Sequence, residues 1–213
     1  ICRKAGQLMK YSFNITLFAF FLILGCSQNQ EAISSTHPSL SLSSSEAREV
    51  IANLDKYPLL ASSYQDLKVA SDNTLTSGIE VPLPGESGGY AHERHKQNYR
   101  DMKNAGYMFT YTGKSQYAQF VKDMLDHYAE LYPTLGPHPL SKKQKPGRLF
   151  HQVLNESVWL LNTAQAFDCI YEWLDPADRK KYETNIFDPM VELFSVQYAE
   201  EFDRIHNHGM WSS

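Results

Sequence analysis

The chain has 213 residues, 42% hydrophobic and 21% charged, an ordinary globular composition on a length that can bury a core. Its net charge of −4 argues against a nucleic-acid partner, and an acidic polymer would need a locally basic cleft. The three cysteines, Cys2, Cys26 and Cys169, are too few for a disulfide framework.

Residues 1–8 lack an initiator Met and read as untranslated upstream sequence before a start at Met9. Lys10 then supplies a positive n-region, and residues 13–24 form an apolar stretch that is short for a bilayer span and suited to a signal peptide. The stretch closes on Leu22-Ile23-Leu24-Gly25-Cys26, which resembles the lipobox at which bacterial lipoproteins are cleaved and acylated. A signal peptide at 9–25 and a lipid on Cys26 would hold the protein in the periplasm on a membrane surface. Ser27 replaces the Asp that retains many lipoproteins at the inner membrane, so the outer membrane is the expected destination. Only Cys169 then remains inside the fold. Residues 26–45, crowded with serines, are expected to be a tether too polar to order itself.

A helical domain is expected over residues 46–213. Ser45 is positioned to cap a first helix on which Val50, Ile51 and Leu54 share a face, and Pro58 ends it. A second helix from about Leu59 carries Leu60, Tyr64 and Leu67, followed by an irregular Pro/Gly-rich loop at 78–89. A third, from about His92 to Thr110, has Tyr99, Met102, Gly106 and Phe109 in register. A fourth, from Ser115, aligns Tyr117, Val121, Met124, Tyr128 and Leu131 before Tyr132-Pro133 stops it. After a loop at 133–147, the apolar run from about Leu149 to Leu174 reads as a helix buried on more than one side, with Trp159, Leu160, Ala164, Phe167 and Tyr171. Asp175-Pro176 opens another helix, and a further one follows Pro189. No segment alternates like a strand. The fold class is therefore all-α, and helices joined by short loops suit an α/α array or toroid better than a four-helix bundle.

Three polar clusters stand out. In Gly88-Gly89-Tyr90-Ala91-His92-Glu93-Arg94-His95, a flexible loop runs into a helix start rich in cations and histidines. This is equally a solvated helix start. A zinc signature is absent, because Lys96 stands where the second His is required, and no metal or other cofactor is expected. The second cluster joins Lys142, Lys143 and Arg148 to His151-Gln152-Val153-Leu154-Asn155-Glu156. Gln152, Asn155 and Glu156 fall on one helix face by their spacing, either as a satisfied core network or as a sugar-binding wall. The third, Ile205-His206-Asn207-His208-Gly209-Met210-Trp211, combines a base, an amide and an aromatic platform. Its two His lack the carboxylate or Cys partners that a metal site needs.

Together GGYAHERHKQNY, GRLFHQVLNESVWLLNTAQAFDCI and FDRIHNHGMW resemble the helical domain of the oligoalginate lyases, polysaccharide lyase family 17. The resemblance covers most of residues 46–213 and implies an incomplete α/α toroid, to which the family adds a heparinase II/III-like β-sheet domain. It implies β-elimination on an acidic oligosaccharide, alginate, released exolytically. Asn207 would then match the residue that neutralises the uronate carboxylate, and His208 the one at the proton-transfer position. Gln152 and Asn155 would line the sugar cleft, with Lys142, Lys143, Arg148, Arg94 and His95 as uronate contacts. A catalytic Tyr and further His and Arg residues would lie beyond Ser213, so residues 46–213 alone are expected to be inactive. Two other classes stay open: a lyase for a heparin-like or chondroitin-like glycan, and a non-catalytic glycan-binding lipoprotein.

Overall fold

The computed structural model describes residues 36–141 and 145–202. The expectations for Cys26, Lys142, Lys143, Asn207 and His208 lie outside the described residues. Every regular element among them is helical: α1 (Ser44–Asn53), α2 (Pro58–Thr76), α3 (Tyr90–Thr112), α4 (Ser115–Leu131), α5 (Val153–Ile170), α6 (Pro176–Tyr182), α7 (Asp188–Glu192) and α8 (Ala199–Phe202). None of them is long and apolar enough to cross a membrane. The all-α expectation holds.

Local chemistry explains most boundaries. Pro58 sits in the first turn of α2, where its missing N–H costs nothing. Gly113, at φ 67°, closes α3 in a left-handed conformation that other residues adopt at a cost. The cap of α1 is Ser43, not Ser45. Ser43 Oγ accepts from the Glu46 N–H, and the Glu46 carboxylate accepts from the Ser43 N–H, a reciprocal pair that fixes the helix start two residues earlier.

α3 packs most extensively on α5 and also against α1, α2 and α4. α5 contacts α4 as well. It buries Val153, Trp159, Thr163, Ala166, Cys169 and Ile170, residues that face several directions, as expected of a helix surrounded by others. The α3–α5 approach is close at Gly106, where a Cβ would stand 3.1 Å from Cys169 Cβ and 3.2 Å from Ala166 Cα. Met102, Met108, Tyr117, Met124, Tyr128 and Trp159 fill the space around that crossing. α6 is tied to α4 by Asp126, whose carboxylate accepts from Lys181 and Tyr182 at 2.7 Å each and from Lys122 at 2.9 Å. Burial works against that charge, but the three donors hold its pKa down at about 2.

Three expectations are corrected. The tether does not extend to residue 45, because residues 37–41 are fastened to the domain. The buried Asp168 carboxylate takes the His37 ring and the N–H groups of Ser39 (2.7 Å) and Leu40 (2.8 Å), and Ser41 bonds Tyr107 at 2.8 Å. One carboxylate with three donors supplies the order that composition alone cannot. Next, Asp175 stands at the cap position of α6 but its side chain makes no capping bond. Finally, Pro189 does not separate two helices. The backbone continues from α6 to α7 through a π-turn at Glu183–Phe187 and onward through another at Leu193–Gln197. Widening the helix just before Pro189 relieves the clash its ring makes with the preceding turn.

Candidate active site

The described residues of the first two polar clusters meet at the N-terminal ends of α3 and α5, where His92 and His95 pack against Phe150. Gly88, at φ 89°, turns the loop at residues 77–89 into Gly89, the cap residue of α3. That loop is held by Glu80. Its carboxylate accepts from Tyr90 at 2.6 Å and lies 3.9 Å from Arg94 Nε, and its carbonyl accepts from Asn98 Nδ2 at 2.9 Å. Arg94 therefore faces Glu80 rather than standing as an unpaired cation.

His95 is fully buried, so it does not reach a substrate directly, and the expected contact is corrected. Its Nδ1 lies 2.9 Å from the Tyr128 hydroxyl, which also accepts from Asn98 Nδ2 at 3.0 Å. Tyr128 stacks edge-on against Trp159. The four side chains lock the first turns of α3 to α4 and α5. Burial, reinforced by neighbouring His92, lowers the His95 pKa to about 4.

The residues just before α5 are organised by Glu156. This fully buried carboxylate accepts from the Leu149 and Phe150 N–H groups at 3.1 Å each and from the Tyr132 hydroxyl at 3.0 Å. Burial raises its pKa to about 7 against the pull of those donors. The clasp fastens residues 149 and 150 to the first turn of α5, which begins at Val153. A Cβ on Gly147 would run into the same carboxylate and the Phe150 carbonyl.

The face formed by Gln152, Asn155 and Glu156 consequently divides. Glu156 turns into the core, whereas Gln152 at the cap and Asn155 in the first turn remain part-exposed. No side-chain hydrogen bond joins either to another described residue. Arg148, also part-exposed, lies over the Tyr132 ring at 5.2 Å.

Sequence reasoning did not assign His92, His138 and His151, which the fold brings together around Phe150. His92 and His151 have ring centroids 5.8 Å apart, His138 and His151 6.3 Å, and His92 meets Phe150 edge-on at 5.1 Å. His92 and His138 are buried, and desolvation lowers the pKa of each. For His138 and His151 the signal was their setting beside apolar, Gly or Pro residues, in Gly136-Pro137-His138-Pro139 and Phe150-His151. Among the described residues, no group of three or more His, Cys, Asp or Glu side chains is arranged to hold a metal ion.

Part-exposed amides, the Arg148 guanidinium and buried histidines thus gather at the N-terminal ends of α3 and α5. The chain is similar in sequence to two alginate lyases. It is 40% identical over 177 residues to an exo-oligoalginate lyase of Saccharophagus degradans, and 43% identical over 158 residues to an alginate lyase of Stenotrophomonas maltophilia. These matches cover 83% and 74% of this chain and 24% and 21% of those proteins, so the chain spans about a quarter of the length of the curated relatives it matches. No protein-family model matches it.

Proposed function

We propose that the chain is the helical part of a polysaccharide lyase that cleaves alginate oligosaccharides by β-elimination, releasing units from chain ends. The observation that carries this reading is its identity of 40% over 83% of its length to an exo-oligoalginate lyase. The part-exposed amides of Gln152 and Asn155 support it, because they offer neutral donors and acceptors to sugar hydroxyls beside the cation Arg148.

Elimination from a uronate requires three things. Donors must neutralise the C6 carboxylate so that the C5 proton becomes acidic, a base must take that proton, and an acid must protonate O4 as the C4–O4 bond breaks. Asn207 is assigned to the carboxylate and His208 to proton transfer. Gln152, Asn155 and Arg148 hold the sugar, with Lys142 and Lys143 as further anionic contacts. Arg94 contributes through its field, and His95 acts only by positioning the start of α3 through Tyr128. The helices are taken as part of an α/α toroid. A lipid on Cys26 would retain the protein at the outer membrane, facing oligosaccharides that enter the periplasm.

The test is product analysis with the protein expressed from its complete gene, offered alginate, heparin-like and chondroitin-like oligosaccharides in parallel. Unsaturated uronate products from alginate alone are expected. Products from a sulfated glycan but not from alginate would reassign the substrate, and binding without any product would make the protein a glycan-binding lipoprotein.

A further inference from the structure

We propose that Glu156 is the positioning residue for Arg148: its buried carboxylate fixes both the main chain that carries the guanidinium and the ring on which the guanidinium rests. It thereby sets where a uronate carboxylate is met. This deepens the reading above and rests on the assignment of Arg148 to the sugar.

A carboxylate is buried only at a cost, which donors around it must offset. Glu156 is fully buried in the first turn of α5, and its two oxygens have separate partners. Oε2 accepts from the Leu149 N–H and the Phe150 N–H at 3.1 Å each, the two peptide groups that directly follow Arg148. Oε1 accepts from the Tyr132 hydroxyl at 3.0 Å, with a longer contact to the Leu149 N–H at 3.3 Å. Tyr132, the C-cap residue of α4, is itself fully buried, and the Arg148 guanidinium lies over its ring, 5.2 Å from the centroid. One side chain therefore holds Arg148 through its main chain and, by way of Tyr132, through its cation.

The residues before Arg148 are held by other contacts. The Gly147 carbonyl accepts from the His138 N–H at 2.9 Å, the Pro146 carbonyl from the Tyr198 hydroxyl at 2.9 Å, and the Lys145 carbonyl from the Val153 N–H at 3.0 Å. Arg148 lies between those fastenings and the Glu156 bonds at 149 and 150. The space beside the carboxylate is fitted to it. A Cβ on Gly147 would run into Glu156 Oε2 and stand 2.9 Å from the Phe150 carbonyl, so a side chain at 147 displaces the carboxylate. A guanidinium meets a carboxylate best in one planar orientation, and a long side chain loses rotamer freedom in adopting it. Fixing the main chain and the ring in advance makes that loss smaller when the sugar binds. Loss of Glu156 should therefore weaken oligosaccharide binding more than it slows the bond-breaking step.

The experiment uses the complete gene product at about pH 8, above the Glu156 pKa of about 7, with the variants Glu156→Gln, Arg148→Ala and both together. KM for alginate oligosaccharides is expected to rise about tenfold or more in Arg148→Ala and about fivefold in Glu156→Gln, with kcat changing less than about twofold in Glu156→Gln. The double variant should match Arg148→Ala within about twofold, because the second change acts through the first. Tyr132→Phe removes one bond to the carboxylate and leaves the ring under Arg148. It carries the test if Glu156→Gln does not fold, with KM rising about threefold only while Arg148 is present. Labelling of Arg148 by phenylglyoxal, followed by peptide mass spectrometry, is the readout that needs no turnover. It should be at least about threefold faster in Glu156→Gln than in the wild-type protein, at unchanged cooperativity of unfolding. Unchanged KM or unchanged labelling in a folded Glu156→Gln protein would overturn the proposal, as would a full multiplicative effect of Glu156→Gln on KM in the Arg148→Ala background. Faster labelling in a protein that does not cleave alginate would defeat the substrate assignment and leave the positioning role standing.

Discussion

Glu156 and His95 are buried titratable groups within one packed region, and they give stability opposite dependences on pH. The folded pKa of Glu156, about 7, lies above its ordinary value of 4.5, so the folded state holds the proton more tightly. Its contribution is complete below 4.5 and is lost as pH rises through 7. Unfolding free energies of the wild-type and Glu156→Gln proteins should converge, or cross, by about 3 kcal/mol between pH 4.5 and pH 8. Parallel curves would show that Glu156 is ionised throughout. His95 behaves in reverse. Its folded pKa of about 4 lies below the ordinary 6.5, so its contribution is complete above 6.5 and disappears as pH falls toward 4. Ring-proton NMR should find one histidine titrating near 4, and a His95 signal moving near 6.5 would contradict the burial described. Neither environment was legible in the sequence. Glu156 and Gln152 share a helical spacing, and only the loop that folds back over Glu156 tells core from wall.

Boundaries set by short-range chemistry were readable, and those set by tertiary contacts were not. α2, α3 and α4 fall within two residues of their expected limits because Pro58, Gly113 and Tyr132-Pro133 act on their immediate neighbours. The start of α5 lies four residues after the expected one, because residues 149–152 form a loop folded over Glu156, a tertiary contact that apolar spacing does not reveal. The helix expected to begin at Pro189 instead continues an earlier one, since π-turns leave no mark in hydrophobic spacing. The capping box of α1 could have been read from Ser43 and Glu46, three apart, but the surrounding serines hid which one capped. Ser43→Ala should therefore cost about 1 kcal/mol, measured by urea unfolding, while Ser45→Ala should cost a few tenths at most. Gly106→Ala is the test of the α3–α5 crossing. Helix propensity favours Ala by about 1 kcal/mol, but the added Cβ meets the fixed backbone of Ala166 and the Cβ of Cys169. A net loss of stability is expected, and a gain would mean the helices are less closely packed than described.

At the level of the molecule, residues 37–41 and the part-exposed amides lie toward opposite ends of α5, since Asp168 is near its C-terminus and Gln152 caps its N-terminus. The segment before α1 is thus fastened away from the proposed sugar-binding end. Asp168→Ala removes the acceptor shared by His37, Ser39 and Leu40 and should speed proteolysis within 36–43 by at least about tenfold, leaving the unfolding of α3 and α5 cooperative. Unchanged cleavage would mean that other contacts hold the segment. The all-α class and the relation to alginate lyases were legible because periodicity and three ordered motifs survive without knowledge of contacts. The fastening of residues 37–41 was not, because it depends on a carboxylate more than 120 residues away in sequence. The central claim is elimination from alginate. It is tested most directly by following the ultraviolet absorbance of unsaturated uronate when alginate oligosaccharides meet the complete gene product, its His208→Ala variant and its Asn155→Ala variant. The account predicts a steady rise for the wild-type protein, almost none for His208→Ala, and a rise restored at high substrate concentration for Asn155→Ala. No rise with the folded wild-type protein, or wild-type turnover in His208→Ala, would contradict it.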